Sequence, residues 1–116
     1  MEKSDITAHI KFNHNELDEN DKKLLLAYVI SIADDLSDVE ASYTDDYTKM
    51  FIRTFNTIDN TEKMLHKMKQ YIENIDILHI DMFAYVQGGT IKKQYSISDN
   101  NIVVTTETVT TTKEFL

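Results

Sequence analysis

The residues with the clearest potential for chemistry are carboxylates that cluster between positions 16 and 46. Ten acids occur in this stretch against only Lys22 and Lys23, so the stretch carries a net charge of −8, equal to that of the whole chain. The ten acids are Glu16, Asp18, Glu19, Asp21, Asp34, Asp35, Asp38, Glu40, Asp45 and Asp46. Runs of this kind are most often solvated helical faces with capping acids.

Three of these acids fit that interpretation poorly. The predicted helix ends near Ser37, so Asp34, Asp35 and Asp38 fall in its last turn, where the helix dipole disfavours anions. They also repel one another at i,i+3 and i,i+4 spacing. We therefore expect a surface that meets a basic partner or binds a cation. Its predicted members are Asp34, Asp35, Asp38, Glu40, Asp45 and Asp46.

Catalytic and metal-binding patterns are weak. His79 and Asp81 share one side of a predicted strand, with Ser96 or Thr90 across the ladder, but nothing indicates an oxyanion hole. The spacing in His14-x-Glu16-x-Asp18 is typical of ordinary turn and cap residues. We therefore predict no catalytic residue, no metal site and no cofactor, and we do not expect an enzyme.

Two further groups leave alternatives open. Phe83 and Tyr85 lie on the polar side of a predicted strand, as a partner-facing patch or as a pair that stabilises the sheet. A basic group follows the acidic stretch and is a solvated helix surface or a phosphate-binding patch. The basic residues are Lys49, Arg53, Lys63, His66, Lys67 and Lys69.

Strands are predicted at both ends of the chain. Apolar residues alternate from Ile6 to Phe12 and from Leu78 to Val86. Gly88-Gly89 predicts a tight hairpin that pairs Val86 with Ile91. A turn at residues 99–101 then begins a Thr-rich edge strand that ends near Thr112.

Helices are predicted between these strands. Asp18 caps a first helix from Glu19 to Ser37, and Thr44 caps a second. Asp59 or Asn60 opens a third helix. The order β-α-α-α-β-β-β predicts an α+β two-layer sandwich, in which helices cover one face of a four-stranded antiparallel sheet.

Length and composition limit the function. With 116 residues we expect one domain spanning residues 1–116. The net charge of −8 argues against direct binding to nucleic acid or to an anionic membrane. There is no Cys, no apolar run of membrane-spanning length, and a polar N-terminus, so we expect a cytoplasmic protein.

The leading hypothesis is a non-enzymatic interaction module that binds a protein with a basic surface. Its most concrete version is a phage-type inhibitor in the host cytoplasm that covers a nucleic-acid-binding surface, as a nucleic-acid mimic would. The first alternative is an assembly protein that forms homo-oligomers, such as a homodimer, through its sheet face or edge strand. The second is a small-ligand-binding domain with a pocket lined by Tyr28, Tyr47, Met50 and Met82.

Overall fold

The computed structural model describes residues 3–12, 17–32, 39–45 and 48–111. Over these ranges the chain forms six strands and two α-helices. In chain order they are β1 (Ser4–Lys11), α1 (Glu19–Ile32), β2 (Val39–Tyr43), β3 (Lys49–Asn56), α2 (Ile58–Tyr71), β4 (Leu78–Val86), β5 (Gly89–Ile97) and β6 (Ile102–Thr111). None of the helices in these ranges is long and apolar enough to cross a membrane.

All six strands form one antiparallel sheet in the order β2-β3-β1-β4-β5-β6. The elements from β1 to β4 follow the order β-α-β-β-α-β, with β1 between β3 and β4. This is the arrangement of the split βαβ, or ferredoxin-like, motif. β5 and β6 extend that motif by a meander at one edge.

Both helices pack on the same face of the sheet. Leu25 and Val29 of α1 and Leu65 and Met68 of α2 are buried against alternate strand residues in one apolar cluster. The buried strand residues include Ile6, Ala8, Ile10, Met50, Ile52, Ile80, Met82, Ala84, Tyr95 and Ile97. The two layers are therefore a helix pair and a sheet, and the second face of the sheet carries no helix from the described residues.

The prediction of three helices on a four-stranded sheet is wrong, although the fold is α+β with two layers. The predicted second helix is in fact the strand β3, in which Met50, Ile52 and Thr54 are buried in alternation. Thr44 does not cap a helix; its N–H donates to the Lys49 carbonyl where β2 and β3 meet. The apolar residues of β3 fit both periods, but their β-branched and aromatic content favours a strand.

The remaining helices largely agree with the sequence. Asp18 caps α1, because its Oδ1 accepts a hydrogen bond from Asp21 N at 2.8 Å. α2 begins slightly earlier than predicted, capped by Thr57, whose side chain accepts from Asn60 N at 3.1 Å. Burial raises the pKa of Tyr43, whose hydroxyl donates to the Lys22 carbonyl at 2.7 Å and joins β2 to α1.

The first hairpin exists, but its predicted register is off by two residues. Val86 pairs with Gly89 rather than with Ile91, so the turn is Gln87-Gly88. Gly88 has φ of 83°, a left-handed conformation that favours glycine. A shift of two residues keeps every side chain on its predicted face, which is why the alternation alone did not reveal it.

The edge strand β6 contains a bulge. Gln94 pairs with Thr106 while Tyr95 pairs with Val104, so Thr105 is the extra residue of β6. The bulge moves Glu107 to the helix side of the sheet, opposite Lys93, whereas unbroken alternation from Ile102 would place it on the other face. Most of β6 is exposed on both faces, as expected for an edge strand.

Contacts from α2 hold the turn between β5 and β6. The Lys69 side chain is only 1% exposed, and its Nζ donates to Asp99 Oδ1 at 2.7 Å and to the Ile72 carbonyl at 3.2 Å. His66 Nε2 lies 2.8 Å from the Asp99 carbonyl, which also accepts from Gln70 at 3.2 Å. The meander is thereby joined to the helical layer at this end.

Candidate functional site

The candidate site is the face of the sheet opposite the helices, which we call the open face. It is formed by the alternate residues that do not point into the core, and its central positions follow from the cross-strand registers. These central residues are Asp5, Thr7, His9 and Lys11 of β1; Lys49, Phe51, Arg53 and Phe55 of β3; and His79, Asp81, Phe83 and Tyr85 of β4. Glu40 and Ser42 of β2 and Thr90, Lys92, Gln94 and Ser96 of β5 flank them.

Three rings form a row across the middle strands of the open face. The His9 ring lies edge-to-face with Phe51, with centroids 5.1 Å apart, and with Phe83, with centroids 5.8 Å apart. Lys92 Nζ lies 5.4 Å from the centroid of the Phe83 ring, within cation–π range. The three rings are half-buried and form a continuous row on a face over which the described residues place no helix.

Two more rings lie at one end of the same face. Phe55 and Tyr85 are the cross-strand partners of Asp5 on either side of β1. They are 44% and 50% exposed, respectively, which makes them the most accessible aromatic side chains of the open face. Large exposed rings on a sheet face are typical of a surface that another molecule covers.

Asp81 is the most strongly held acid of the open face. It accepts a hydrogen bond from Gln94 Nε2 at 3.0 Å and pairs with Lys11 Nζ at 3.5 Å. Burial opposes its ionisation, but the hydrogen bond from Gln94 and the charges of Lys11 and Lys92 outweigh burial and lower the pKa of Asp81. Asp81 is thus an anion at neutral pH, with one contact on each of its carboxylate oxygens.

The His79 side chain does not form a catalytic triad with Asp81. Its Nδ1 lies 3.4 Å from Ser96 Oγ across the β4–β5 ladder, while Asp81 contacts Lys11 and Gln94 instead. A triad requires the carboxylate to orient the imidazole. The Ser-His-Asp arrangement considered from the sequence therefore lacks the contact that would activate it.

Charge is distributed unevenly over the molecule. Among its described residues, the open face carries four cations (Lys11, Lys49, Arg53 and Lys92) and three anions (Asp5, Glu40 and Asp81). Its net charge is +1 in a chain whose total is −8, so the rest of the sequence carries −9. The open face is therefore nearly neutral, although the chain as a whole is strongly acidic.

The predicted site residues separate into three groups. Phe83 and Tyr85 lie on the open face, as the alternation predicted. Glu40 lies on that face too, opposite Arg53, whereas Asp45 is exposed in the turn after β2. Asp34, Asp35, Asp38 and Asp46 lie outside the described residues.

Sequence reasoning missed most of the open face because it assigned β3 to a helix. In the predicted second helix, Phe51 and Phe55 would face the core and Arg53 would face solvent. The signal that would have found them is the alternation Lys49-x-Phe51-x-Arg53-x-Phe55, which is period two throughout. His9 was placed correctly on a strand, but nothing local marks it as a neighbour of Phe51.

Two of the four residues predicted to line a pocket between helices and sheet are core residues. Met50 and Met82 are fully buried, and Tyr28 stacks on Tyr71 with ring centroids 4.2 Å apart. Tyr47 lies outside the described residues. The small-ligand-binding alternative therefore stays a prediction.

The described residues contain no group of three or more His, Asp or Glu side chains that could hold a metal ion. His14 and Glu16, two of the three possible ligands considered from the sequence, lie outside those residues.

No protein-family model matches the chain, and comparison with curated proteins and with solved structures found no significant match.

Proposed function

We propose that this protein is a non-enzymatic interaction module that binds its partner through the open face of the sheet. The observation that carries the proposal is the row of His9, Phe51 and Phe83 across β3, β1 and β4, on the face opposite the two described helices. Aromatic residues surrounded by polar and charged ones are characteristic of binding surfaces. A cytoplasmic location, expected from the sequence, is part of the proposal.

The proposal is tested with matched ring deletions. Phe55 and Tyr85 are the most exposed rings of the open face, so the double variant Phe55→Ser, Tyr85→Ser removes binding area with little effect on the core. Tyr71→Ser is the control, because Tyr71 is similarly exposed, at 43%, but lies on α2.

The measurement is capture of ligand from a cell lysate by the immobilised protein. We expect the double variant to retain about tenfold less ligand than wild type, since the loss of hot-spot rings typically weakens binding by about 1.4 kcal/mol or more. Tyr71→Ser should retain the wild-type amount. Equal retention by wild type and the double variant would reject the open face as the binding surface.

The acidic-surface version of the function remains a prediction. Of its six predicted residues, Glu40 and Asp45 are described, and both are exposed near the β2 edge of the sheet. A phage-type inhibitor acting through these acids would lose its partner when Asp34, Asp35 and Asp38 are all reversed to Lys. Unchanged capture of a basic partner by that variant would reject this version.

Assembly through β6 is a second candidate, favoured by the character of that strand. It is a ten-residue edge strand with one charged residue, Glu107, and with Val103, Val104 and Val109 exposed. Such edges can pair with another copy, although a bulge like that at Thr105 disfavours pairing. Light scattering tests the candidate, because a monomer at all concentrations would exclude it.

A further inference from the structure

We infer that the ligand of the open face is a single-stranded nucleic acid. The inference rests on the proposed function, since it names the class of partner that the same surface would bind. The sequence-wide charge of −8 led to the opposite expectation. The inference depends instead on where the charges lie, because a ligand meets a local surface and its local field.

The first argument is the position of two lysines. Lys11 and Lys49 are direct cross-strand partners on the open face. Like charges directly opposite one another destabilise a sheet, so sheet stability does not explain this pair. Lys11 also contacts Asp81, and Lys49 follows the loop after β2. Asp81 already supplies an anion to Lys11, and a phosphate beside Lys49 would supply a second one to this pair of strands.

The second argument is the distance between these cations and the rings. His9 and Phe51 are each two residues from Lys11 and Lys49 on their strands, which is about 7 Å along a strand. Arg53 and Lys92 lie in the cross-strand row of Phe83. Cations at both ends of the ring row could contact phosphates while bases stack on the rings, the combination that binds single strands.

The shape of the open face favours a single strand as the ligand. A broad sheet face fits a duplex groove only when the duplex is strongly deformed, whereas unpaired bases can spread over it and stack on exposed rings. The anions do not prevent this. Asp81 is engaged by Lys11 and Gln94, Glu40 lies opposite Arg53, and Asp5 lies at the far end from Lys11 and Lys49.

Binding is measured by fluorescence anisotropy with labelled oligo(U) and oligo(dT) of about eight nucleotides, the size of a site on one small domain. We expect saturable binding at about 50 mM salt. Two of the four cations face anions of the same surface, Lys11 at Asp81 and Arg53 opposite Glu40. The slope of log K against log salt should therefore lie between about −1.4 and about −3, because each phosphate contact on a single strand contributes about −0.7. The RNA and DNA arms show whether the 2′-hydroxyl is recognised.

Three double variants separate stacking, charge and general effects. Phe51→Leu, Phe83→Leu retains apolar bulk but removes the rings, and should weaken binding about tenfold or more. Lys11→Gln, Lys49→Gln should reduce the salt slope to about half, since two of the four cations are lost. Lys63→Gln, Lys67→Gln removes two exposed cations of α2 and should leave both affinity and slope nearly unchanged.

Each outcome decides the inference. Absence of saturable binding to both oligonucleotides overturns it, as does equal weakening by the α2 control. A lysate ligand that is lost by Phe55→Ser, Tyr85→Ser but survives nuclease treatment points to a protein on the same face; that result overturns the nucleic-acid inference and leaves the proposed function standing. Circular dichroism confirms that each variant is folded.

Discussion

The two faces of the sheet differ in burial and composition, although the residues that point to them alternate along the same strands. On β1, Ile6, Ala8 and Ile10 are buried under the helices and contact one continuous core. The intervening residues Thr7 and His9 are only half-buried, and they face a surface of mixed charge and rings. The covered face provides free energy of folding through apolar burial, whereas the open face leaves its rings half-buried or exposed.

This comparison predicts opposite effects for neighbouring substitutions. Removing atoms from the covered face should lower stability and leave the chemistry of the open face unchanged. Removing rings from the open face should reduce binding and leave most of the stability intact. The following experiments test that separation, in decreasing order of expected effect.

Ile10→Ala should have the largest effect. Ile10 lies near the C-terminal end of β1 and is fully buried between its neighbours on β3 and β4. Truncation of such a residue costs about 3 kcal/mol through lost burial and the cavity that remains. Urea unfolding followed by circular dichroism measures the loss. Phe83→Leu on the open face is the comparison and should cost less than about 1.5 kcal/mol. Similar losses for both would contradict the separation of the two faces.

Asp99→Ala should have the next largest effect, because it leaves the Lys69 ammonium buried with only the Ile72 carbonyl as a described acceptor. We expect a loss of about 2 kcal/mol, at the lower limit for breaking such pairs because Asp99 is 63% exposed. Adding Lys69→Met to Asp99→Ala should recover part of the loss by removing the unpaired charge. Thermal unfolding of the two variants would contradict this account if the double variant were the less stable one.

The smallest effect concerns the pH dependence contributed by Asp81. Its pKa is lower in the folded state than in the unfolded chain, so its contribution to stability is present above about pH 4 and is lost as the pH falls through the folded-state pKa. Asp81→Asn should therefore flatten the acid limb of the stability curve. The effect should stay below about 1 kcal/mol, because the partner Lys11 is exposed.

Gln94→Ala provides the matched variant for this pH experiment. It removes the hydrogen bond to the Asp81 carboxylate and keeps the carboxyl group, so it should give an acid limb between those of wild type and Asp81→Asn. Urea unfolding at a series of acidic pH values measures all three curves. A steeper acid limb for Asp81→Asn than for wild type would contradict the assigned direction of the pKa.

Local patterns were sufficient for the parts of the fold where one period dominates. β1, β4 and β6 follow from apolar alternation and from the turn residues between strands. α1 and α2 follow from helical spacing and from caps at or near the predicted residues. Phe83 and Tyr85 were placed on the open face for the same reason, since alternation assigns a strand residue to a face without knowledge of its neighbours.

The assignment of β3 as a strand, the bulge in β6 and the charge of the open face depended on contacts between distant parts of the chain. Met50, Phe51, Thr54 and Phe55 suit either a helix or a strand, and pairing with β1 decides for the strand. The bulge at Thr105 moves Glu107 to the other face, and nothing in the Thr-rich sequence marks it. Charge summed over the chain likewise concealed the nearly neutral open face, because net charge carries no information about position.

The amino-acid sequence by itself determined the alternation in β1 and β4, the approximate starts of α1 and α2, and that Phe83 and Tyr85 share a face, because these depend on neighbours within a few positions. Only the tertiary structure decided that β1 lies between β3 and β4. That placement brings His9 between Phe51 and Phe83 and sets Lys11 beside Lys49. The physical reason is that the sheet joins these residues, which are 38 or more positions apart in the chain, through backbone hydrogen bonds that no local pattern records.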